Sequence, residues 1–485
     1  MSKINKNLKV IIEEIKTKLG NPPDLFIKNL VISEKKVSIL SIESMSDQVT
    51  INDFILEYLS ADIKVKKDDN LLEYLYNNIP TNKCLKIDAL DELIYNLLSG
   101  FTVILVNGYE IALSIETKAK INSEISAAVN ERTTLGPNNA FTENYQTNLG
   151  LIRKRLKTED LKLSESIVGN KGKSKVGVFY LDGVADKETV QIIYDRIKNI
   201  NIDAILDPQQ VIELISENEK NVFPNCITTE RPDYVASLLL SGRIAIVLEN
   251  NPHVSVVPAN VDDFLQHIED RYNRVISSSV NRLIRFLSLF ITLLTPAIYV
   301  AMTTYNHETI PAKLLVSFST QRSGVPFSTI MEALLMIVVF EILKETDARA
   351  PSSYSNSLTI VGALVLGEAA VTAGIVSPIM VIVSAITAIS GLIVTYIDVG
   401  NGIRWWRLIF LISAATAGFI GMMAVGFVFI ANITSIKSFG KPFMNGIAPA
   451  SKGNIWDSVL LSFKNKFNRS LQKEMNKPSN KGSEN

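Results

Sequence analysis

The 485-residue chain is 47% hydrophobic and 20% charged, and its 49 lysines and arginines balance 49 aspartates and glutamates. A net charge of zero excludes a protein that binds nucleic acid through a strongly basic surface, and the apolar content excludes a disordered chain. These averages hide a split. Up to Arg285 the sequence is a polar mixture, whereas from Phe286 to Asn432 it is mostly Ile, Leu, Val, Ala, Gly and Ser. The composition therefore predicts a soluble region followed by a membrane region.

The first residues and the cysteines predict a cytosolic soluble region. "MSKINKNLKVIIEEIKTKLG" has the spacing of an amphipathic helix and lacks the apolar core and small-residue cleavage site of a signal peptide. Cys84 and Cys226 are too far apart in sequence for a disulfide framework or a zinc cluster, so we expect reduced thiols.

A pattern of helix, glycine and β-hairpin occurs twice. "LLSG" at Leu97–Gly100 precedes "FTVILVNGYEIALSI", in which Asn107-Gly108 suits a tight turn, and "LLSG" at Leu239–Gly242 precedes "RIAIVLENNPHVSVV". An ancient duplication into two related α/β subdomains explains this repetition, and chance similarity of short motifs is the alternative. Alternating strand and helix patterns after residue 175 also favour α/β layers.

A polar segment, Glu131–Leu163, connects the two subdomains and becomes a basic helix. Its charges, Arg153, Lys154, Arg155 and Lys157, form either a solvated face or a contact with another subunit or with lipid headgroups. The predicted domains are an N-terminal α/β subdomain with its helix (1–150), a second α/β subdomain (151–280), a transmembrane helical domain (281–435) and a basic cytosolic tail (436–485).

Five apolar segments predict membrane helices, because about 20 apolar residues span a bilayer. They are Phe286–Tyr305, Phe327–Leu343, Leu358–Val376, Ile379–Ile397 and Leu408–Ala431. Flanking basic residues place the soluble region inside, and Arg285, Trp405, Trp406 and Arg407 are candidate membrane-interface anchors. Five spans would leave the basic tail outside. We therefore expect one re-entrant segment, or a sixth span near Ile310–Phe318 or Phe443–Leu461, with both termini inside.

Three glutamates interrupt these apolar segments. A charge at the bilayer centre costs at least about 2.5 kcal/mol, so it is kept where it is used or shielded. Glu332 and Glu341 fall about 13 Å apart along one helix and cannot pair with each other, and Glu341 is expected to be interfacial. Glu368 is the deepest, and we expect it to face water, with Thr359 and Thr372 extending the polar stripe; a buried hydrogen bond to a neighbouring helix is the alternative.

The sequence predicts no catalytic, metal or cofactor site. The three histidines, His253, His267 and His307, are not at metal-ligand spacing, and no nucleophile elbow, phosphate loop or dinucleotide fingerprint occurs. "GNKGKSKVG" at Gly169–Gly177 lacks the spacing of a phosphate loop. We therefore expect a protein that is not an enzyme and needs no cofactor.

Several stretches together resemble the A subunits of GerA-type spore germinant receptors. They are "NLGLIRKRLKTEDL", "TTERPDYVASLLLSGRIAIVLENNPHVSVVPANVDDFLQHIEDRYNR", "PFSTIMEALLMIVVFEILKETDARAP", "TIVGALVLGEAAVTAGIVSPIMVIVSAITAIS" and "SFGKPFMNGIAPA". The resemblance covers about Ala140–Asp457.

This resemblance implies an integral protein of the spore inner membrane, with the soluble domain facing the core. It implies that the chain functions together with a permease-like B subunit, which binds the germinant, and with a lipoprotein C subunit. It also implies a ring-shaped homo-oligomer, with a pentamer as one candidate, whose helices form a germinant-gated ion channel within membrane lipid and without nucleic acid. The region around "ALVLGEAAVTAG" would line or gate the pore, so the candidate pore residues are Glu368, Thr372, Val365, Thr359 and Glu332.

The chain departs from the family pattern at three places. Glu368 stands where the family has Gln, which would give a ring of negative charge that favours cations. Asn250-Asn251 replaces Asp-Gly in the second hairpin, and "TTLGP" at Thr133–Pro137 replaces an Arg-Gly-Pro element. Two other functions stay open, namely an ion- or proton-coupled transporter that uses Glu332 and Glu368, and a non-conducting membrane scaffold for partner subunits.

Overall fold

The computed structural model describes residues 3–60, 70–81, 83–120, 128, 131, 133–217, 221–349, 367–393 and 396–445. An α/β region of two antiparallel sheets is followed by an α-helical region, which confirms the predicted fold class.

The first sheet has the strand order β1-β2-β4-β5-β3, with every neighbouring pair antiparallel. Apolar clusters lie on both of its faces, under helices whose apolar residues recur at helical spacing. The strands are β1 Leu25–Ile32, β2 Lys35–Ile42, β3 Cys84–Ile87, β4 Phe101–Val106 and β5 Ala112–Glu116, and the helices are α1 Leu8–Leu19, α2 (48–60, with a π-helical turn at Ile51–Leu56), α3 Leu71–Asn78 and α4 Leu90–Leu98.

The second sheet repeats the topology of the first, with the order β6-β7-β9-β10-β8. Its pairs are again all antiparallel. The strands are β6 Leu161–Val168, β7 Ser174–Leu181, β8 Ile227–Thr229, β9 Ile244–Leu248 and β10 Val254–Val257, and the helices are α5 Tyr145–Arg155, α6 Lys187–Lys198, α7 Pro208–Ile215 and α8 Pro232–Leu240. Two sheets with one strand order are what the predicted duplication requires.

The repeated "LLSG" motif ends a helix in the same way in both halves. Gly100 and Gly242 have φ of 85° and 82°, a left-handed conformation that glycine adopts without strain. The Gly100 N–H donates to the Leu97 carbonyl and the Gly242 N–H to the Leu239 carbonyl, both at about 3 Å. Each glycine therefore turns the chain from helix α4 or α8 into the next buried strand.

The helical region begins directly after the second sheet. Its helices are α9 Glu269–Tyr272, α10 Val275–Thr304, α11 Ala312–Arg322, α12 Thr329–Arg349, α13 (367–372), α14 Pro378–Leu392 and α15 Ile397–Ser435. Two stretches in the described residues, Val275–Thr304 and Val399–Ser435, are long and apolar enough to cross a membrane. Parts of the predicted span Leu358–Val376 and of the tail lie outside the described residues.

Helix α15 is folded back on itself at Gly418. That residue has φ 58° and ψ −140°, which is not helical. The Trp406 and Phe429 rings have centroids 5.0 Å apart, although 23 residues along a straight helix would separate them by about 35 Å. The predicted single span Leu408–Ala431 is therefore two antiparallel arms joined at Gly418.

Both ends of α15 contact the α/β region. At its start, the Tyr396 hydroxyl donates to the Tyr234 hydroxyl at 3.3 Å. Beyond its end, the Ser438 hydroxyl accepts a hydrogen bond from the Ala259 N–H at 3.1 Å and donates to the Asn225 carbonyl at 2.6 Å. The chain therefore returns to the α/β region after the second arm.

Candidate functional site

Glu368 lies on the surface of the helical region. It is exposed on α13, and the exposed Thr372 follows one turn later on the same face. The Thr372 hydroxyl donates to the Glu368 backbone carbonyl at 2.8 Å, so it adds no partner for the carboxylate. Thr359, the other threonine of the predicted stripe, and the pore candidate Val365 lie outside the described residues.

Glu332 is buried inside the helical region. Its side chain is 0% exposed and accepts hydrogen bonds from the N–H and the hydroxyl of Ser377, at 2.9 and 2.8 Å. The Arg322 guanidinium lies 3.6 Å from the other carboxylate oxygen. Because Ser377 also caps the start of α14, Glu332 joins α11, α12 and α14.

Glu341 joins α12 to the first arm of α15. The Arg407 guanidinium donates to one carboxylate oxygen at 2.7 Å, and the Arg404 guanidinium lies 3.0 Å from the other. Two of the three glutamates in the apolar segments are thus neutralised by arginines. Glu368 makes no ion pair among the described residues.

The four predicted interface anchors have different surroundings. Trp405 is 62% exposed. Trp406 is buried against the Phe429 ring, and Arg407 is buried against Glu341. Arg285 donates to both carboxylate oxygens of Asp270, at 2.8 and 2.7 Å, and to the Leu265 carbonyl.

Arg231, in the segment "TTERPDYVASLLL", organises the junction between the α/β region and the helical region. The Arg231 side chain is 1% exposed and donates to both oxygens of Asp233, at 3.2 and 2.8 Å. It also donates to the Pro137 carbonyl at 2.7 Å and to the Thr133 hydroxyl at 2.9 Å. Arg231 therefore fixes the "TTLGP" segment to the start of α8.

The same junction reaches the first long helix through Tyr272 and Asp270. The Tyr272 hydroxyl donates to Asp233 at 2.5 Å, and burial together with this bond raises the pKa of Tyr272 to about 12. Burial by itself would raise the pKa of Asp270, but hydrogen bonds and charge from Arg285, aided by the charge of Arg282, hold it below its usual range. Sequence reasoning assigned Tyr272, Asp233 and Asp270 no role and Arg285 only that of an interface anchor, because a buried ion pair and a solvated pair look the same in a sequence.

Two further carboxyls near this junction have raised pKa values. Burial raises the pKa of Glu131 to about 7, with the nearby Glu230 charge adding to the shift. Burial and the adjacent Asp263 raise the pKa of Asp262 to about 7. Within the described ranges, no three His, Cys, Asp or Glu side chains are grouped so that they could hold a metal ion.

Comparison with known proteins agrees with the resemblance seen in the sequence. The sequence profile of the family described as "Bacillus/Clostridium GerA spore germination protein" matches residues 13–476. The chain belongs to this GerA family. It is 34% identical over 460 residues to spore germination protein KA of Bacillus subtilis, covering 94% of this chain and 85% of that protein. It is also 34% identical over 393 residues to spore germination protein A1 of B. subtilis, covering 81% and 80%.

A solved structure is also similar to this GerA-family chain. It is the crystal structure of the N-terminal domain of the A subunit of the Bacillus megaterium spore germinant receptor GerK3, which is 32% identical. The match covers 53% of this chain and 97% of that domain, with a TM-score of 0.42.

Proposed function

We propose that this GerA-family chain is a membrane subunit of a spore germinant receptor, and that several copies form an ion channel that opens when germinant binds. Germinant binding belongs to a permease-like B subunit in this proposal, and a lipoprotein C subunit completes the receptor. The observation that carries the proposal is the exposed Glu368, which has no arginine partner among the described residues, whereas Glu332 and Glu341 each have one or two.

An exposed carboxylate at this place needs water or another subunit. Gly367 and Ala370 line a small cavity with Leu335 and Phe340 of α12, so Glu368 lies beside the middle of that apolar helix. Against lipid, its charge would cost at least about 2.5 kcal/mol. A ring of copies whose α13 helices surround an aqueous path removes that cost and places a ring of carboxylates where cations pass.

Small residues beside Glu368 permit such a ring. Ala369 and Ala373 are exposed and lie one turn apart, next to the face that carries Glu368 and Thr372. Helices in lipid associate where small side chains let their backbones approach. The exposed surface of α13 therefore has both the carboxylate and the shape that an oligomeric pore requires.

The topology supports a receptor subunit anchored with its α/β region on one side of the bilayer. The helical region leaves that side at α10 and returns to it at both ends of α15. In the proposed receptor this side is the spore core and the bilayer is the spore inner membrane.

Ion flux through vesicles that contain the full chain tests the channel against its alternatives. We expect cation flux from the unchanged chain, and flux with reduced cation preference from Glu368→Gln. Glu345→Gln, an exposed carboxylate at the far end of α12, is the matched control and should behave as the unchanged chain. Flux that stops completely in Glu368→Gln would indicate a coupled carrier, and no flux from any form, with partner subunits and germinant present, would leave a scaffold.

A further inference from the structure

A cavity in the helical region lies between α10, α12, α14 and the first arm of α15. Its volume is about 500 Å³, within the range of sites that hold small molecules. It is separate from Glu368, whose helix contributes no residue to its wall.

The inner wall of this cavity is apolar. Ile337, Phe340, Val381 and Ala388 line it, together with Thr292 and Thr387. The hydroxyls of both threonines donate to carbonyls of their own helices, at 2.8 and 2.7 Å. Ser384 is the other hydroxyl residue among the described residues that line the cavity. With both threonine hydroxyls bonded inside their helices, the wall is mainly apolar and suits a hydrocarbon chain.

The rim of the cavity is cationic. Lys344, Arg404 and Arg407 lie there, and Glu341 is the one acid among the described residues that line the cavity. A side chain at Gly400 would come within 3.9 Å of the Lys344 ammonium, which places the lysine at the end of the bundle where α15 begins, beside the α/β region. The Nε of Arg407 is buried and has no hydrogen-bond partner among the described residues. The rim therefore carries positive charge in excess of what Glu341 neutralises.

The cavity opens towards the outside of the helical bundle. Ile389 and Leu392 line it and are 62% and 71% exposed, on the face of α14 that would meet lipid. The exposed Trp405, next to Arg404, marks the level of the headgroups. A lipid molecule can thus enter sideways with its head at the rim and a chain inside.

The geometry points to a site for an anionic phospholipid of the surrounding bilayer, with the headgroup on Lys344 and Arg404 and one acyl chain against α10 and α14. Basic pockets between membrane helices on the inner side suit anionic headgroups. The basic tail of this chain is a poor occupant, because its lysines would face three cations. The site requires the membrane insertion proposed above but not ion conduction.

Native mass spectrometry of the full chain, extracted from vesicles of phosphatidylcholine and phosphatidylglycerol, tests this site without any flux measurement. We expect retained phosphatidylglycerol in excess of phosphatidylcholine. Lys344→Gln should reduce that retention about fivefold, as for the loss of one cation at an anionic headgroup. Ala388→Phe, which fills the wall and leaves the charges, should abolish it.

Two matched variants control for surface charge and bulk. Arg349→Gln removes an exposed cation outside the cavity on the same helix, and Ile386→Phe adds bulk on the lipid-facing side of α14; both should retain lipid as the unchanged chain does. Equal retention in all forms would overturn the site, since only surrounding lipid would then be observed. If laurate at equal concentration displaced the phosphatidylglycerol, the ligand of the cavity would be a free fatty acid and not a phospholipid. If Ala388→Phe changed the oligomeric mass without loss of lipid, the cavity would be a contact between copies of the chain.

Discussion

Arg153 and Asp24 form a two-bond ion pair that joins the two halves of the α/β region. The Arg153 Nε and one terminal nitrogen each donate to an Asp24 oxygen at 2.8 Å, and both side chains are 1% exposed. Asp24 precedes the first strand of the first sheet, whereas Arg153 belongs to α5 before the second sheet. The Ser44 hydroxyl also donates to Asp24 at 2.8 Å. The pair therefore fixes the two duplicated units to each other.

Removal of one partner of this pair should destabilise the protein strongly. Asp24→Ala leaves the Arg153 charge buried and unpaired, and a loss of about 3–5 kcal/mol in the free energy of unfolding is expected. Lys157→Gln, an exposed charge that follows α5, should change stability by less than about 0.5 kcal/mol. Denaturant unfolding of the purified chain measures both. Equal effects of the two substitutions would mean that the pair contributes nothing specific.

The basic stretch around Arg153 shows what the sequence could and could not predict. Its helix was predicted. Lys157 is exposed, which agrees with the interpretation of these charges as a solvated face. Arg153 fits neither explanation, because its partner lies 129 residues away and only the folded arrangement of the two sheets brings it close. The repeated pattern of helix, glycine and hairpin was predictable because Gly100 and Gly242 end their helices locally and Gly108 marks the first hairpin turn.

The same distinction between local and distant signals holds in the helical region. The three intramembrane glutamates were evident from composition, but their partners Arg322, Arg404 and Arg407 come from other helices. Gly418 lies among many other glycines and alanines, so nothing in the sequence distinguishes it as the residue whose backbone leaves the helix. The segment Leu408–Ala431 was therefore predicted as one span, whereas the structure has two arms there.

Gly418 should tolerate no side chain. Its φ of 58° with ψ of −140° is accessible in practice to glycine alone, and a Cβ there would lie 2.5 Å from the Asn306 Oδ1 and 2.9 Å from the Tyr305 Cβ. Gly418→Ala should therefore lower the free energy of unfolding by about 1–3 kcal/mol from backbone strain, and the two close contacts would add to this loss. Thermal unfolding in detergent, followed by circular dichroism, measures the change.

Gly426 provides the control for this prediction. It lies in the second arm of the same helix, and a Cβ there meets no atom of the described part of the chain within 4 Å. Gly426→Ala should leave the unfolding temperature unchanged or raise it slightly, because alanine favours the helix. A stability for Gly418→Ala that matches Gly426→Ala would contradict the fold-back at Gly418.

Glu332 and Glu368, two of the three glutamates in the apolar segments, should respond differently to the same neutral substitution. Glu332→Gln removes the carboxylate that faces Arg322 and accepts from Ser377, so a loss of about 2 kcal/mol is expected. Glu368→Gln changes an exposed side chain and should alter stability by less than about 0.5 kcal/mol. Thermal unfolding of both variants in detergent decides. A larger loss in Glu368→Gln would show a buried role for that residue in the assembled protein.

Stability of the α/β region should fall as the pH rises towards 7. The pKa of Glu131 is about 7 in the folded chain against an ordinary value of 4.5, so the folded state binds more protons than the unfolded state between these values. The stabilisation is full below about pH 4.5 and is lost as the pH rises through 7, with a limit of about 3 kcal/mol. The pKa of Asp262, also about 7, acts in the same direction. The pKa of Asp270 is lowered, so its effect on stability is confined to pH values below about its ordinary 3.8, where stability is lost as the pH falls.

Unfolding midpoints of the unchanged chain and of Glu131→Gln between pH 5 and pH 8 measure this effect. The Glu230 N–H and the Thr229 hydroxyl donate to the same oxygen of this carboxylate, and the neutral amide keeps an oxygen that can accept both hydrogen bonds. Glu131→Gln should therefore fold and show a smaller slope with pH, while Asp262 maintains the remainder. Glu143→Gln, an exposed acid of the same segment, should keep the full slope. If the slope of stability with pH were the same in Glu131→Gln as in the unchanged chain, this carboxyl would be ionised in the folded protein from pH 5 to pH 8. Its pKa would then not be raised by burial.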